Sequence, residues 1–390
     1  MISLVRFKNT YLILVISICF TLTSCAQKST EIKVGAMQTK LYLPLLKGKK
    51  VAVVANQTSV IEKTHLVDSL LSLNVNITKV FSPEHGFRGK ADAGAHVEDG
   101  IDAKTGLPIL SLHGKSKKPS VEQLKNIDVV IFDIQDVGVR FYTYISTLHY
   151  VMEACAENNI PIIVLDRPNP NGHYIDGPVL EPEHSSFVGK HPVPVVYGMT
   201  IGEYGQMING EKWLKKGVQC DLTVVPLKNY THKSEYSLTV RPSPNLPNDK
   251  SINLYPSLGF FEGTIINAGR GTEFQFQRYG ASFFPESEFS YSPKANFGAK
   301  YPKQKGKLCY GVDLRSTKKL SAINLEWIID AFKKTPKTEK FFGKTFTIHA
   351  GNTKLQTQIE QGVSIKEIRR SWQKDLNKFK KTRKQFLIYK

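Results

Sequence analysis

Apolar residues fall into two textures along the chain. In the first half they form short unbroken runs: Lys50–Ala55 (KVAVVA), Ile77–Phe81, Asp128–Asp133 (DVVIFD) and Pro161–Asp166 (PIIVLD). Runs of this length, rich in Val and Ile and bounded by polar sequence, predict strands buried on both faces. Between them the apolar spacing changes to three and four. Leu66, Leu70 and Leu73 predict a helix within 61–73, and Ile145, Leu148, Met152 and Cys155 stripe a helix over Thr143–Asn158. Thr200 and Glu203 have the spacing of a capping box, with Met199 and Tyr204 placed as its hydrophobic staple, so another helix starts there. Leu222–Pro226 predicts a further strand. Strands alternating with helices predict an α/β fold whose parallel sheet is covered on both faces.

Beyond about Arg241 the texture changes to Pro, Gly and aromatic residues without a clean period. This predicts a second, more irregular α+β domain over 241–390, after an α/β domain over 41–240. Lys294–Lys319 holds eight basic residues and one acid, Asp313, and reads as an exposed loop region. The last element is a helix from about Ile365. Ser364 and Glu367 have capping-box spacing, Ile365, Ile368, Trp372, Leu376 and Phe379 make its apolar stripe, and its polar face is basic.

Charge changes the picture through compartment. The 390 residues carry 53 Lys+Arg against 34 Asp+Glu, a net +19, which invites a polyanion partner. Yet Arg6 and Lys8 precede an uncharged run, Tyr11–Leu22, too short to span a bilayer and suited to the centre of a signal peptide. Leu22-Thr23-Ser24-Cys25 resembles a bacterial lipobox, so residues 1–24 are expected to be removed and Cys25 to carry lipid, with 25–40 as a linker. The protein is therefore expected to be exported and lipid-anchored in the cell envelope, on the periplasmic side. Genomic nucleic acid is then an improbable partner, and anionic wall polymer or lipid headgroups suit the charge better. Cys155, Cys220 and Cys309 are widely spaced, which predicts buried free thiols rather than a disulfide framework or zinc motif.

The turn after the first strand has no glycine-rich fingerprint, and there is no G-x-S-x-G elbow, H-E-x-x-H or P-loop. The reading is cofactor-free, with no metal site. Polar clusters instead follow the strands, where the open parallel sheet has its ligand crevice. They are Ser82–Gly89 (SPEHGFRG), Asp133–Tyr144 (DIQDVGVRFYTY), Asp166–Gly172 (DRPNPNG) and, from the second domain, Phe260–Phe276. Carboxylates, guanidiniums, amides and flat rings in rigid turns are what a carbohydrate site needs.

These residues also carry a resemblance. SPEHGFRG, DIQDVGVRFYTYISTL, VLDRPNPNG, DGPVLEP, SFVGKHPVPVVYGMTIGEY, PSPNLPN and FEGT…GRGTEFQFQRYGA, in this order, resemble the bacterial exo-β-N-acetylmuramidase family over nearly the whole chain after residue 41. The resemblance implies a Rossmann-like domain, a smaller second domain and a site in the cleft between them. It also implies a glycosidase releasing N-acetylmuramic acid from non-reducing ends of peptidoglycan fragments.

Within that reading Glu84 is the candidate general acid, framed by Pro83 and His85 at a strand end. For the second carboxylate Asp133, Asp136, Glu262 and Glu273 compete, with Glu273 preferred and then Glu262, because a second-domain partner would let closure assemble the site. Substrate-assisted hydrolysis through the 2-acetamido group stays open. Arg88, Arg140, Arg167 and Arg270 are candidates to grip the lactyl carboxylate of muramic acid. Tyr142 and Tyr144 could line one face of the pocket. His85 could orient Glu84, Asp166 belongs to the crevice cluster, and Asn169 and Asn245 could contact the acetamido group or hold their turns. The rivals are a non-catalytic muropeptide-binding lipoprotein and a metal-dependent amidase or esterase. The oligomeric state stays open.

Overall fold

The unbroken apolar runs become the centre of one seven-stranded sheet. The computed structural model describes residues 31–89, 98–114 and 116–389. Its strands are β1 (Val51–Ala55), β2 (Ile77–Ser82), β3 (Gly100–Ile101), β4 (Pro108–Ser111), β5 (Val129–Asp133), β6 (Ile162–Leu165) and β7 (Leu222–Val225). They lie in the order β7-β6-β5-β1-β2-β4-β3, parallel throughout except for the short edge strand β3. Every residue of β1 and β5 is buried, which is why neither alternates in sequence. The chain moves from β1 to β2 on one side and returns to β5 on the other. The carboxyl ends of these strands therefore border the crevice where such a sheet binds ligands.

Helices α1 (Thr39–Leu46), α2 (Leu66–Ser72), α3 (Tyr144–Glu157) and α4 (Ile201–Gly210) belong to this half. Helix α2 starts later than its apolar spacing suggests, because Val60–Ile61 pairs with Thr64–His65 in a small hairpin and His65 caps the helix. Leu73 falls at the C-cap and is left exposed. Helix α4 has the full reciprocal capping box of Thr200 and Glu203. Signal peptide and Cys25 lie outside the described residues. The expected linker needs correction over its last residues: Lys33 pairs with Lys228, and Gly35 packs so closely that a Cβ there would meet the Val225 oxygen at 2.5 Å. The compact unit thus begins at Lys33.

The later half adds α5 (Asp249–Leu258) and a three-stranded antiparallel sheet, β8 (Arg278–Ala281), β9 (Ser290–Tyr291) and β10 (Cys309–Asp313), in the order β8-β10-β9. Strand β10 falls inside the segment read as exposed loop, and it buries Cys309. The terminal helix is two pieces, α6 (Ile365–Ser371) and α7 (Gln373–Arg383), joined through Trp372. Ile368, Trp372, Leu376 and Phe379 are buried as the stripe predicts. These helices do not stay with the second half. Arg369 pairs with Asp176 at 2.7 Å, Arg383 donates to the Gly198 carbonyl, and the Ile388 and Tyr389 amides donate to Glu203. Residues 33–390 accordingly form one compact unit. The three cysteines are buried free thiols. Among the described residues no helix is long and apolar enough to cross a membrane.

Candidate functional site

Glu84 stands just past the end of β2, half-buried. The Thr143 hydroxyl donates to its Oε2 at 2.7 Å. Thr143 is the N-cap residue of α3, a place where a threonine hydroxyl ordinarily accepts from the helix's own amides. Here it makes no such cap. The helix end thus forgoes a local bond worth about 1 kcal/mol while its hydroxyl holds a carboxylate from another strand.

Around Glu84 the two halves of the chain supply an aromatic cluster. Tyr255 of α5 packs edge-on against Phe141 and Phe276, with ring centres 5.2 and 4.8 Å away, and Tyr142 meets Tyr144 at 4.8 Å. Burial raises the Tyr255 phenol pKa well above its ordinary value; Arg270 opposes this, while Glu262, Glu84 and Asp136 add to it. Glu84, two of the four carboxylates weighed as its partner, Glu262 and Asp136, and one of the four arginines are therefore gathered about this ring.

Glu262 and Arg270 face each other, Arg270 Nε donating to Glu262 Oε1 at 3.1 Å, both about a quarter exposed. Burial alone would raise the Glu262 pKa, but Arg270, Lys303 and His349 outweigh it and hold the carboxyl below its ordinary value. Lys303 is anchored by donating to the Phe261 and Glu262 carbonyls at 2.6 and 2.9 Å. Arg270 also lies over the Phe276 ring. No hydrogen bond from its terminal nitrogens is made among the described residues. Glu273, the preferred second carboxylate, is exposed, away from the burial that Glu262 has.

The other three arginines need correction as ligand contacts. Arg88 grips Asp102 with two bonds, at 3.1 and 2.7 Å, and reaches Asp68. Arg167 holds Asp133 at 2.5 and 2.8 Å and the Val60 carbonyl, so Asp133 is also withdrawn from chemistry. Arg140 is fully buried and donates to the carbonyls of Pro178, Val193 and His349; burial lowers its pKa to about 9. In each case a protein acceptor already takes the geometry a ligand carboxylate would use.

Asp166 is likewise a brace. It accepts from the Arg167 and Gly202 amides and from the hydroxyls of Thr200 and Tyr389, fixing the start of α4 to the chain terminus. Asn169 donates to the Met199 carbonyl and accepts from the Asn171 amide, so it holds its turn. Gly138, at φ 75°, lets it approach: a Cβ there would lie 2.2 Å from its Oδ1. Asn245 donates to the Gly298 carbonyl and keeps a buried Oδ1 without a partner. Tyr142 and Tyr144 direct their hydroxyls to the Pro242 carbonyl, and both are buried, so they back the site rather than line it. His85 is buried at φ 73°, a conformation uncommon for a side chain of its size. Asp136 accepts from Tyr197 and the Gly138 amide, leaves Oδ1 unpartnered, and is raised by burial to about 6.

Thr143, Tyr255, Lys303 and His349 join this constellation without having been singled out from sequence. Thr143 lay inside a quoted motif and at the start of a predicted helix. Tyr255, Lys303 and His349 lie in segments whose local pattern carries no sign of the site. Among the described residues, Glu181, Glu183 and His184 place possible metal-ligand atoms within 4.8 Å of one another on an outer turn. Exposed acidic groups commonly lie together without an ion, and no chemistry is assigned to this one.

Comparison with known proteins gives the family and the fold. Residues 51–250 match the family described as exo-beta-N-acetylmuramidase NamZ, N-terminal, and residues 253–389 match its C-terminal counterpart. A peptidoglycan beta-N-acetylmuramidase from Bacillus subtilis (strain 168) is 43% identical over 376 residues, covering 89% of each chain. Two crystal structures of DUF1343 family proteins from Bacteroides fragilis NCTC 9343 share the fold. One has a TM-score of 0.86 at 46% identity, covering 93% of this chain and 99% of that one. The other has a TM-score of 0.81 at 30% identity, covering 92% and 99%.

Proposed function

Because the chain belongs to the exo-β-N-acetylmuramidase NamZ family, with both family halves present, we propose that it is a glycosidase releasing N-acetylmuramic acid from non-reducing ends of peptidoglycan fragments. Glu84 is the general acid of this reading. The observation that carries it is the Thr143 hydroxyl drawn away from its helix to Glu84 Oε2. A hydroxyl donor binds an ionised carboxylate more strongly than a neutral one. It therefore fixes the group's direction and favours the charge that forms as the proton passes to the departing glycosidic oxygen.

Glu262 is the complementary carboxylate. The cations around it favour its ionised form, the state required of a base, a nucleophile or a group that polarises the 2-acetamido function. Arg270, whose terminal nitrogens make no hydrogen bond among the described residues, takes the lactyl carboxylate. Tyr255 and Phe276, both buried, pack behind them. The lipobox-like sequence ending at Cys25 supports export and anchorage of the mature chain by lipid, with net charge falling from +19 to +17 as Arg6 and Lys8 leave.

The test is Glu84→Gln with a synthetic muramic acid glycoside, following released sugar by mass. Turnover is expected to fall by about 10²–10⁴-fold, the usual contribution of a positioned acid, while ligand binding is retained. Turnover unchanged by this substitution overturns the assignment.

A further inference from the structure

We propose that the outer face of the terminal helices is a docking surface for an anionic phospholipid bilayer, turning one fixed side of the protein toward the membrane. The face consists of Lys366, Arg370, Lys374, Lys378, Lys381 and Lys384, all exposed. Their spacing of four, four, four, three and three places them along one side of α6, Trp372 and α7, because Trp372 keeps right-handed helical geometry between the two pieces. None of the six forms an ion pair among the described residues. The carboxylates on these helices are Glu367, which is engaged by the Ser364 hydroxyl and amide-capped through it, and Asp375. The basic residues on the inner side have other work: Arg369 pairs with Asp176, and Arg383 bonds the Gly198 carbonyl.

A basic helix face by itself is commonly just solvated. The second observation is where the chain enters the body. Lys33 and Lys228 exchange backbone hydrogen bonds at 3.0 and 2.9 Å, and the adjoining Leu227 amide donates to the Tyr389 hydroxyl at 2.7 Å. The entry point at Lys33 thus lies beside Tyr389, six residues past the end of α7, and Lys33 and Lys228 add exposed charge there. The inference rests in part on the proposed lipid at Cys25. Eight residues span at most about 30 Å, so such an anchor holds Lys33, and with it the segment at Tyr389 that follows the helices, close to the headgroups. Each basic residue near an anionic surface contributes about 1 kcal/mol, and the attraction is screened by salt. A tether alone permits any orientation; a tether beside a cationic stripe selects one. Wall polymer, the other anionic candidate, has no corresponding relation to the entry point.

The experiment separates the stripe from the lipid. Since residues 33–390 are one compact unit, the chain from Ala26 keeps the whole body without an anchor. It is sedimented with phosphatidylcholine vesicles, with vesicles containing phosphatidylglycerol, and with purified wall polymer. The expected result is salt-sensitive binding to the phosphatidylglycerol vesicles alone. Lys374→Ala/Lys378→Ala/Lys381→Ala should weaken it about 100-fold, the effect of three charges at about 1 kcal/mol each. Turnover of a soluble glycoside should stay unchanged, which shows that the variant folds. Equal binding to both vesicle types, binding to wall polymer instead, or an unaffected triple variant each overturns the proposal. The anchor is tested apart, by the mass of the native protein's first peptide; its failure would leave the vesicle result standing.

Discussion

At the residue scale the site is defined by what its side chains are released from. Arg88, Arg140 and Arg167 looked equivalent to Arg270 in sequence, each beside a carboxylate in a polar turn. The fold gives the first three to Asp102, to backbone carbonyls and to Asp133, and bonds Arg270 through its Nε alone, to Glu262, among the described residues. The same logic orders the carboxylates. Glu262 has cations that keep it ionised despite burial, whereas Glu273 is exposed, in water that screens any role in charge stabilisation. Glu262→Gln is expected to lower kcat by about 10²-fold or more, and Glu273→Gln to stay near the parent rate. Steady-state kinetics on one muramic acid glycoside decides this, and the reverse ranking would restore Glu273 as the catalytic partner.

At the element scale the ends of β5 and β6 are tied together by Asp133 and Arg167, both buried. This pair was legible as two polar residues at strand ends but not as a pair, because its members lie 34 positions apart and meet only when β5 and β6 lie side by side. Removing one partner strands the other charge away from water. Asp133→Ala should therefore cost about 3–5 kcal/mol in urea unfolding; a loss below about 1 kcal/mol would show that water relieves Arg167. The helix starts were easier to read. Thr200 and Glu203 close their box because both halves are local in sequence. Thr143 gave no sign of its role because its bond is to a strand end 59 residues away. Ser364 caps through the Glu367 amide but turns its own hydroxyl proton to the Glu367 carboxylate.

At the scale of the whole molecule, α3, α4 and the loop before Pro194 share a buried polar chain. His191 meets His149 at 2.9 Å and the Tyr204 hydroxyl at 3.0 Å, and it stacks on Trp213. His149 faces Glu153, which is itself bonded to Lys118 and to the Lys215 amide. Burial, then the nearby Lys190, lowers His149 to about 4; burial and His149 lower His191 well below its ordinary value. The native state thus binds fewer protons here than the unfolded chain, and this contribution is lost as pH falls from about 6.5 toward 4. Asp136 and Asp166, raised chiefly by burial to about 6 and about 7, titrate in the opposite sense and lose stability as pH rises. The two trends oppose, so the test is differential. The stability advantage of the parent over His149→Asn should shrink by about 2 kcal/mol between pH 7 and pH 5. An advantage independent of pH would mean that His149 titrates normally.

Periodicity and local chemistry were enough to determine that the chain is α/β, where five of the seven strands of the main sheet and the cap-started helices lie, that three thiols are buried, and which turns carry the polar clusters. Those features depend on interactions within a few residues, which a sequence displays directly. Tertiary structure decided which members of the clusters are braces, that residues 33–40 are part of the body, and that the terminal helices return to the first half. Each of those outcomes is a competition among partners distant in sequence. A buried hydrogen-bonding group takes whichever acceptor the fold brings within reach, and only packing says which one that is.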